Sequence, residues 1–458
     1  MAFLIGGANS AADTGYDVDN SCRFNAGDSA YMTRTFGSAG NRRTWTFSTW
    51  CKRSKFGAQQ TLFGTSSGSA AYHLFYWGSD ESLTHNFNGT VTNASSGAKF
   101  RDPSAWMHVV CAVDTTQSTA ANRVRLYVNG AEVGSGSYPD EDAEMILNNN
   151  VRCDVGSSGA HFTSHMLGGY LAETVFIDGT QYAASDFGEF SEDSPTIWMP
   201  KDVSGLTFGT NGFWFDYKAS GTLGNDANGG TDWTATNLAA ADQATDVPTN
   251  NFCTLNPLEA VTATTTYAEG NTQGTTSNAA RATFAVSNGK WYWEHKFVNK
   301  EAMGGVMAYN GFLPNAYTIN ALIQGSNPEL VLNGTEQSSW SGDGTPDALV
   351  DNDILNVALD CDNNRIAFGV NGAWLNNLDG SGEWSGTTLN YSSITAGYDY
   401  SPCFRTGSGT NRESHMNFGS PFYTISSGNS DANGYGNFEY AVPSGFFSLC
   451  SKNLAQYG

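Results

Sequence analysis

Apolar and polar side chains alternate along many short segments of the chain. In residues 43–53, RTWTFSTWCKR, Trp45 and Phe47 fall on one side of an extended strand and Ser48 and Trp50 on the other. Successive side chains of a strand point to opposite faces, so this period of two predicts β-strands. Segments such as WMHVVCAVD and YLAETVFIDGTQY continue the pattern, and a second series starts near residue 283. No stretch has the periodicity of a helix of several turns, so the chain is predicted to be all-β.

Two ten-residue segments of the chain are similar: NRVRLYVNGA at residues 122–131 and NRIAFGVNGA at residues 364–373. In each copy a polar connection joins an apolar strand to an alternating strand that ends at Asn-Gly. Asn and Gly tolerate the positive φ angles of a two-residue hairpin turn. The repeat therefore predicts the same hairpin in two domains and does not indicate a duplicated binding site.

Length and composition divide the chain into domains. The 458 residues predict two or three domains, and the 52 glycines fit many turns between short strands. We predict two tandem antiparallel β-sandwiches. The expected segments are an N-terminal arm (1–20), a first sandwich (21–218), a polar linker (219–255), a second sandwich (256–425) and a C-terminal clasp (426–458).

Charge and cysteine spacing limit the environment and the partners. The formal net charge of −22 argues against a nucleic-acid partner, since there is no basic cluster to offset it. No apolar run reaches the ~20 residues of a membrane span, and the first 20 residues do not resemble a secretion signal. The eight cysteines are scattered without CxxC pairs, which predicts free, buried thiols and folding in a reducing cytoplasm.

Several motifs resemble known modules. SAWMHVVCAVDTT and NRVRLYVNGAEV are similar to the central strands of a laminin-G-like, concanavalin A-type jelly roll, with SCRFNAGDSAYMTRT as its opening strand and GGYLAETVFIDG as its closing strand. GKWYWEHKF, NDILNVALDCDNNRIAFGVNGAW and CFRTGSGTNRESHMNFGSPF resemble a SPRY domain, another two-sheet sandwich. The resemblance implies a concanavalin A-like jelly roll followed by a SPRY-like sandwich.

The arrangement as a whole resembles virion structural proteins of tailed, marine-type bacteriophages, which often carry IGGAN, DVPTNNFCTLNPL and VPSGFFSLCSKNL. This resemblance implies a protein of the virion surface, assembled in the host cytoplasm. It is compatible with a capsid decoration or head fibre and with a tail appendage. A homotrimer that contacts other virion proteins is expected by analogy with phage appendages. The absence of a visible stalk favours a compact knob.

Concanavalin A-type folds also include glucanases, whose catalysis depends on a pair of carboxylates. Their Glu-x-Asp-x-x-Glu strand, which holds two carboxylates at the required separation, does not occur here. GTSSG at residues 64–68 lacks the following helix of a nucleophile elbow. His161 and His165 lie about 13 Å apart if the segment is extended, which is too far for one metal ion, and His108 is expected to be packed in a strand. We therefore expect no enzymatic activity.

Candidate binding residues are aromatic and acidic. Aromatic rings within Gly/Ser/Asp-rich segments can stack on sugar faces, and the candidates are Trp77, Trp340, Trp384, Tyr398 and Tyr400. Packing in the core or at an oligomer contact is the alternative for each. No cofactor is expected, but Ca²⁺ is an alternative to solvated loop charge at the acidic residues Asp140, Asp142 and Asp226.

These observations lead to one principal hypothesis and two alternatives. The principal hypothesis is a non-enzymatic virion protein that binds a host-surface glycan. A polysaccharide-degrading virion enzyme is one alternative. The other is a SPRY-type module that docks a neighbouring virion protein.

Overall fold

The computed structural model describes residues 4–5, 15–68, 71–87, 91–94, 98–159, 164–259, 265–309, 320–324, 330–333, 335–336, 349–376, 383–406 and 411–458. The chain divides into two compact units. The N-terminal unit is Ala12–Thr249, and the C-terminal unit combines Met1–Ala11 with Asn250–Gly458.

The strands of the N-terminal unit follow β1 (Leu4–Ile5), which belongs to the other unit. They are β2 (Ser21–Phe24), β3 (Tyr31–Thr35), β4 (Thr44–Arg53), β5 (Gln60–Gly68), β6 (Ala71–Trp77), β7 (Leu83–Phe87), β8 (Val91–Ala94), β9 (Trp106–Asp114), β10 (Val124–Val128), β11 (Ala131–Val133), β12 (Ser135–Gly136), β13 (Arg152–Val155), β14 (Gly169–Asp178), β15 (Gly188–Phe190), β16 (Trp198–Pro200), β17 (Phe213–Phe215), β18 (Thr234–Thr236) and β19 (Gln243–Ala244). Short 3-10 turns span Ala120–Asn122, Ala184–Asp186, Ser220–Thr222 and Ala240–Asp242.

Most of these strands form two large antiparallel sheets, and β15 pairs separately with β16. Sheet 1 has the order β11-β10-β9-β4-β14-β2-β19, with β17 also paired to β14. Sheet 2 has the order β12-β8-β7-β6-β5-β13-β3-β18. The main core includes side chains of both sheets, such as Phe47 and Phe176 of sheet 1 and Phe63 and Phe75 of sheet 2. This is the sandwich that the alternation predicts.

Sheet 1 is covered on both faces. Phe47 of β4 faces the main core, but Trp50 of the same strand packs in a second cluster with Val18 and Val247. A third cluster places Val175 of β14 against Phe208 and other residues of the segment that follows the sheet. All ten residues of β14 are buried as a result.

A buried ion pair attaches the segment around Val247 to the outer face of sheet 1. Lys52 Nζ lies 2.6 Å from Asp246 Oδ2, and both side chains are 1% exposed. Trp106 Nε1 donates to the other carboxylate oxygen of Asp246 at 2.9 Å. Residues 219–249, predicted as part of a polar linker, thus lie in the N-terminal unit. They contribute β18, β19 and the buried Trp233.

The C-terminal unit contains a second series of strands. They are β20 (Thr266–Ala268), β21 (Gln273–Thr276), β22 (Ala279–Arg281), β23 (Phe284–Ala285), β24 (Lys290–Phe297), β25 (Ala302–Tyr309), β26 (Asn320–Gln324), β27 (Leu330–Leu332), β28 (Thr335–Glu336), β29 (Ile354–Asp360), β30 (Arg365–Val370), β31 (Ala373–Leu375), β32 (Trp384–Gly386), β33 (Tyr391–Ser393), β34 (Asp399–Thr406), β35 (Arg412–Asn417) and β36 (Phe447–Ser448). A 3-10 turn spans Glu269–Asn271, and helix α1 spans Ser451–Tyr457.

Two sheets again enclose a core. Sheet 3 has the order β20-β21-β35-β24-β29-β30-β31-β32, with β33 paired to β30 and β36 parallel to β24. Sheet 4 has the order β22-β34-β25-β26-β27-β28. Trp293 of sheet 3 and Phe404 of sheet 4 are among the buried core residues. The prediction of an all-β chain with two antiparallel sandwiches is confirmed.

The segment predicted as a C-terminal clasp covers the outer face of sheet 3. Glu294 of β24 is fully buried, and its carboxylate accepts the backbone N–H groups of Glu439 and Tyr440 at 3.0 and 2.8 Å. Phe438 packs edge-on against Tyr292, with ring centroids 5.0 Å apart. Burial raises the pKa of Glu294.

The two similar decapeptides form the same turn. Asn129 and Gly130 have φ angles of 48° and 78°, and Asn371 and Gly372 have 50° and 84°. Each Asn Oδ1 also accepts a backbone N–H of the neighbouring strand, from His108 at 2.8 Å and from the first residue of β29 at 3.0 Å. The Asn side chain therefore secures the strand entry as well as permitting the turn.

An aromatic ring packs directly against each turn glycine, and we call this position a glycine seat. A Cβ on Gly130 would lie 2.4 Å from the ring of Trp198, and one on Gly372 would lie 2.6 Å from the ring of Tyr440. In each unit the ring comes from a later segment that covers the outer sheet face. Only glycine leaves the room for this close approach.

Two further expectations can be compared with the structure. All eight cysteines are free and buried, as their spacing predicts. Among the described residues, no helix has the length and apolar character needed to cross a bilayer.

We predict that Lys52→Met lowers the free energy of unfolding of the N-terminal unit by about 3 kcal/mol, because it leaves Asp246 charged and buried. Lys99→Met is the matched control. Lys99 pairs with Asp80 at 2.5 Å, but the two side chains are 36% and 59% exposed, so the cost should stay below about 1 kcal/mol. Urea unfolding followed by tryptophan fluorescence measures both. Equal losses in the two variants would contradict a special role for the buried pair.

Candidate functional site

Two of the predicted sugar-stacking residues are buried, and the prediction is wrong for them. Trp77 is fully buried in the main core, where Arg53 lies 4.7 Å from its ring centroid and Phe100 packs against it. Tyr400 is 2% exposed and its hydroxyl donates to the carbonyl of Thr395 at 2.8 Å. Neither ring has a face available for a sugar, because both rings point into the sandwich.

The other predicted stacking residues are placed differently. Trp384 and Tyr398 are half-buried at the margin of the C-terminal core, so each has ring surface that a ligand could contact. Trp340 lies outside the described residues. Trp384 and Tyr398 remain predictions.

The predicted acidic residues do not come together. Asp140 and Asp142 are exposed, and Asp142 accepts from Arg43 Nη1 at 3.3 Å. Asp226 is 2% exposed, and its Oδ1 accepts the backbone N–H of Trp214 at 3.0 Å. In the described part of the chain, no group of three or more His, Cys, Asp or Glu residues has the arrangement of a metal site. Ca²⁺ binding therefore stays a prediction.

A different surface gathers the chemistry that the sequence predicts only in part. In β6, AYHLFYW, the core-facing side chains are His73, Phe75 and Trp77, so Tyr72 and Tyr76 point to the opposite face of sheet 2. Cross-strand pairing sets polar residues beside the two rings. Tyr72 pairs with Ser66 on β5, and Tyr76 pairs with Thr61 on β5 and Thr84 on β7. Asn86 pairs with Leu74 on the same face. We call the set Thr61, Ser66, Tyr72, Tyr76, Thr84 and Asn86 the tyrosine face.

Hydrogen bonds and burial set the character of this face. Both tyrosines are half-buried, and their positions four residues apart in a strand separate them by about 13 Å. Burial raises the pKa of Tyr76 to about 12, with further contributions from Tyr72 and Asp80, so its hydroxyl stays a neutral donor near pH 7. Ser158 fixes one edge, where its Oγ lies 2.5 Å from Thr61 Oγ1 and its carbonyl accepts from Ser66. Thr61, Ser66, Thr84 and Asn86 are buried, so the accessible part of this face is the two half-buried tyrosine rings.

Alternation within β6 was the signal that could have identified this face. Tyr72, Leu74 and Tyr76 share one parity, and His73, Phe75 and Trp77 share the other. The glycine-rich context favours Trp77, whereas Tyr76 next to it has the half-buried ring.

The buried histidines are structural in their geometry. Trp198 Nε1 can only donate, and it donates to His108 Nδ1 at 3.1 Å. His108 Nε2 therefore carries the proton and donates to Ser48 Oγ at 2.8 Å. In this tautomer His108 presents no basic nitrogen to Ser48, so the two do not form a nucleophile–base pair.

A second histidine pair lies in the main core. His73 Nε2 and His85 Nε2 are 2.9 Å apart, and one of the two rings donates to the other. Both side chains are 1% exposed and lie beside Trp45. Burial lowers the pKa values of both, that of His85 to about 3. The neutral forms are therefore favoured in the folded state.

Comparisons with known proteins support the fold of the N-terminal unit. Residues 25–180 match the Laminin_G_3 family, described as the concanavalin A-like lectin/glucanases superfamily. This segment contains β3 to β14. The expected laminin-G-like, concanavalin A-type fold is confirmed for it. The bacteriophage relationship stays a prediction. No curated protein matches the sequence.

Similar solved structures include a SPRY domain and laminin G-type domains. The SPRY domain of human HERC1 has 16% identity and a TM-score of 0.25, covering 32% of this chain and 87% of that one. A heptameric SAP-like pentraxin from Limulus polyphemus has 13% identity and a TM-score of 0.28, covering 35% and 77%. Domains LG4-5 of the mouse laminin alpha1 chain have 8% identity and a TM-score of 0.30, covering 98% and 90%.

His108 provides a test of acid sensitivity. Burial lowers its pKa from 6.5 to about 3 in the folded state, so between these values the unfolded chain binds more protons. The contribution of neutral His108 to the free energy of unfolding is complete above pH 6.5 and is lost as the pH falls below that value. Gln can donate to Ser48 and accept from Trp198 without titrating. Between pH 7 and pH 5 the free energy of unfolding of His108→Gln should therefore fall by about 2 kcal/mol less than that of wild type. Urea unfolding at the two pH values measures the difference. Equal losses would show that His108 is not neutral in the folded state.

Proposed function

We propose that this chain is a non-enzymatic protein of a bacteriophage virion surface, and that its N-terminal unit binds carbohydrate through the tyrosine face. The observation that carries the binding proposal is the position of Tyr72 and Tyr76 on one polar face of sheet 2. Two half-buried rings, each with a phenolic hydroxyl at its edge, suit a sugar chain.

The chemistry of the face explains how it would bind. Apolar C–H groups of a sugar pack on an aromatic ring, while its hydroxyls exchange hydrogen bonds with polar groups at the ring edge. Thr84 and Ser66, the cross-strand neighbours of Tyr76 and Tyr72, are buried, so the hydrogen bonds to a sugar would come from the tyrosine hydroxyls. A spacing of about 13 Å between the tyrosine positions favours an oligosaccharide over a single sugar.

The family match supports binding without deciding between binding and cleavage. Its description covers lectins and glucanases, and the matched residues include the central strands of sheet 2. The non-enzymatic proposal rests on the missing Glu-x-Asp-x-x-Glu strand. The virion assignment rests on the joint occurrence of IGGAN, DVPTNNFCTLNPL and VPSGFFSLCSKNL in one chain.

The proposed partners follow from the same assignment. The protein would assemble as a homotrimer, contact other virion proteins and display the N-terminal unit to the host surface. Localising the chain by antibody labelling of intact particles separates a head decoration from a tail appendage. Absence of the chain from purified particles would refute the virion assignment while leaving the carbohydrate proposal open to its own test.

We predict that a glycan array probed with the labelled full-length protein identifies a bound oligosaccharide. The double variant Tyr72→Ala/Tyr76→Ala should weaken this binding at least tenfold, because both stacking surfaces are lost. Tyr182→Ala is the matched control, since Tyr182 is a half-buried tyrosine of the same unit that packs in the cluster on sheet 1. A bound glycan whose affinity is unchanged in the double variant would exclude the tyrosine face, and release of reducing ends would replace binding with cleavage.

A further inference from the structure

Glu173 interrupts the central strand β14 with an unusual backbone. Ala172 pairs with Trp50 and Val175 pairs with Ser48, so Glu173 and Thr174 together oppose Thr49. This is a β-bulge, and Glu173 has a φ of 46°. Left-handed backbone is strained for a residue with a side chain, and such strain is concentrated at functional positions.

The Glu173 carboxylate is buried between Trp214 of β17 and the segment that carries Tyr16. Glu173 is 6% exposed. Trp214 Nε1, from β17, donates to Oε2 at 2.9 Å, and the hydroxyl of Tyr16 bonds to the same side chain. Tyr16 belongs to residues 15–20, which run over the surface of the unit. Val18 in this segment exchanges two hydrogen bonds with Thr249 Oγ1, at 3.2 and 3.1 Å.

The charged surroundings do not neutralise this carboxylate. None of the ion pairs in the described part of the chain involves Glu173. Asp216 repels its charge and Lys218 attracts it, and Lys218 itself lies 3.9 Å from Asp19. Asp202 and Asp216 also act on the Tyr16 hydroxyl. On the core side, Tyr217 bonds to Thr174 rather than to Glu173.

We propose that Glu173 is a proton-operated latch that holds residues 15–20 on sheet 1 when it is protonated and releases them when it is ionised. An ionised carboxylate without a cation is costly while it stays buried, and lifting Tyr16 exposes it to water. The latch is separate from the tyrosine face, which is on sheet 2.

The direction of the pH effect follows from proton linkage. Burial raises the pKa of Glu173 from 4.5 to about 7 in the closed form. The exposed carboxylate of the open form regains the ordinary value, so the closed form binds more protons between these limits. Raising the pH therefore favours opening. From pH 5.5 to pH 8.5 the opening equilibrium should increase about 30-fold.

Hydrogen exchange of the full-length protein tests the latch. Exchange of amides in residues 15–20 is measured by mass spectrometry in wild type and in Glu173→Gln, which is neutral at every pH and can still accept from Trp214. The ratio of the two rates at the same pH cancels the chemical pH dependence of exchange. This ratio should rise about 30-fold from pH 5.5 to pH 8.5. A ratio that stays constant would overturn the proposal.

Two further variants keep the test decisive. Glu189→Gln changes an exposed carboxylate of the same unit and should exchange like wild type at both pH values. Tyr16→Phe removes a donor that favours the ionised form, so the midpoint of the wild-type pH transition should move upward. An unchanged midpoint would show that Tyr16 does not cover Glu173, and it would refute the latch even if Glu173→Gln failed to fold.

Discussion

A sheet that carries large apolar side chains on both faces must be covered on both, and sheet 1 shows how much of the N-terminal unit follows from this requirement. The inner face is covered by sheet 2, whereas the outer face needs Val18, Val247 and Phe208 from segments without long strands. Those segments bring backbone and polar groups into contact with the sheet. The Lys52–Asp246 pair and the bonds to Glu173 satisfy polar groups that the covers bury. Sheet 3 meets the same requirement with the C-terminal segment, which Glu294 holds by its backbone amides.

The strands and the paired hairpins were predictable because their signals are local. Alternation over a few residues marks a strand, and Asn-Gly marks the turn. The second role of each Asn, as acceptor from the neighbouring strand, could not be predicted from the dipeptide alone. Residues 219–249 differ from the predicted linker for a related reason. Its polar composition suggests a linker, but Trp233 and Asp246 make long-range contacts that composition does not show.

The candidate sites also differ in whether their signal is local in the sequence or depends on long-range contacts. Tyr76 could have been distinguished from Trp77 by strict application of the period of two, because both lie in one regular strand. Glu173 could not have been identified in this way, because its bulge breaks the period of two. Its properties also depend on Tyr16 and Trp214, which come from distant parts of the chain. Sequence patterns identify side chains by their neighbours along the strand, whereas a buried carboxylate is defined by what folds over it.

The glycine seats have a consequence for the order of folding. Each Asn-Gly turn closes between strands adjacent in sequence, and such hairpins form within microseconds. The ring that occupies each seat, from Trp198 or Tyr440, comes the same number of residues later in both units. On a ribosome the seat is therefore synthesised, and can be folded, before its occupant has left the exit tunnel. The aromatic ring then has a prepared place to dock, and the outer cover of each sheet is positioned by a turn formed well before it.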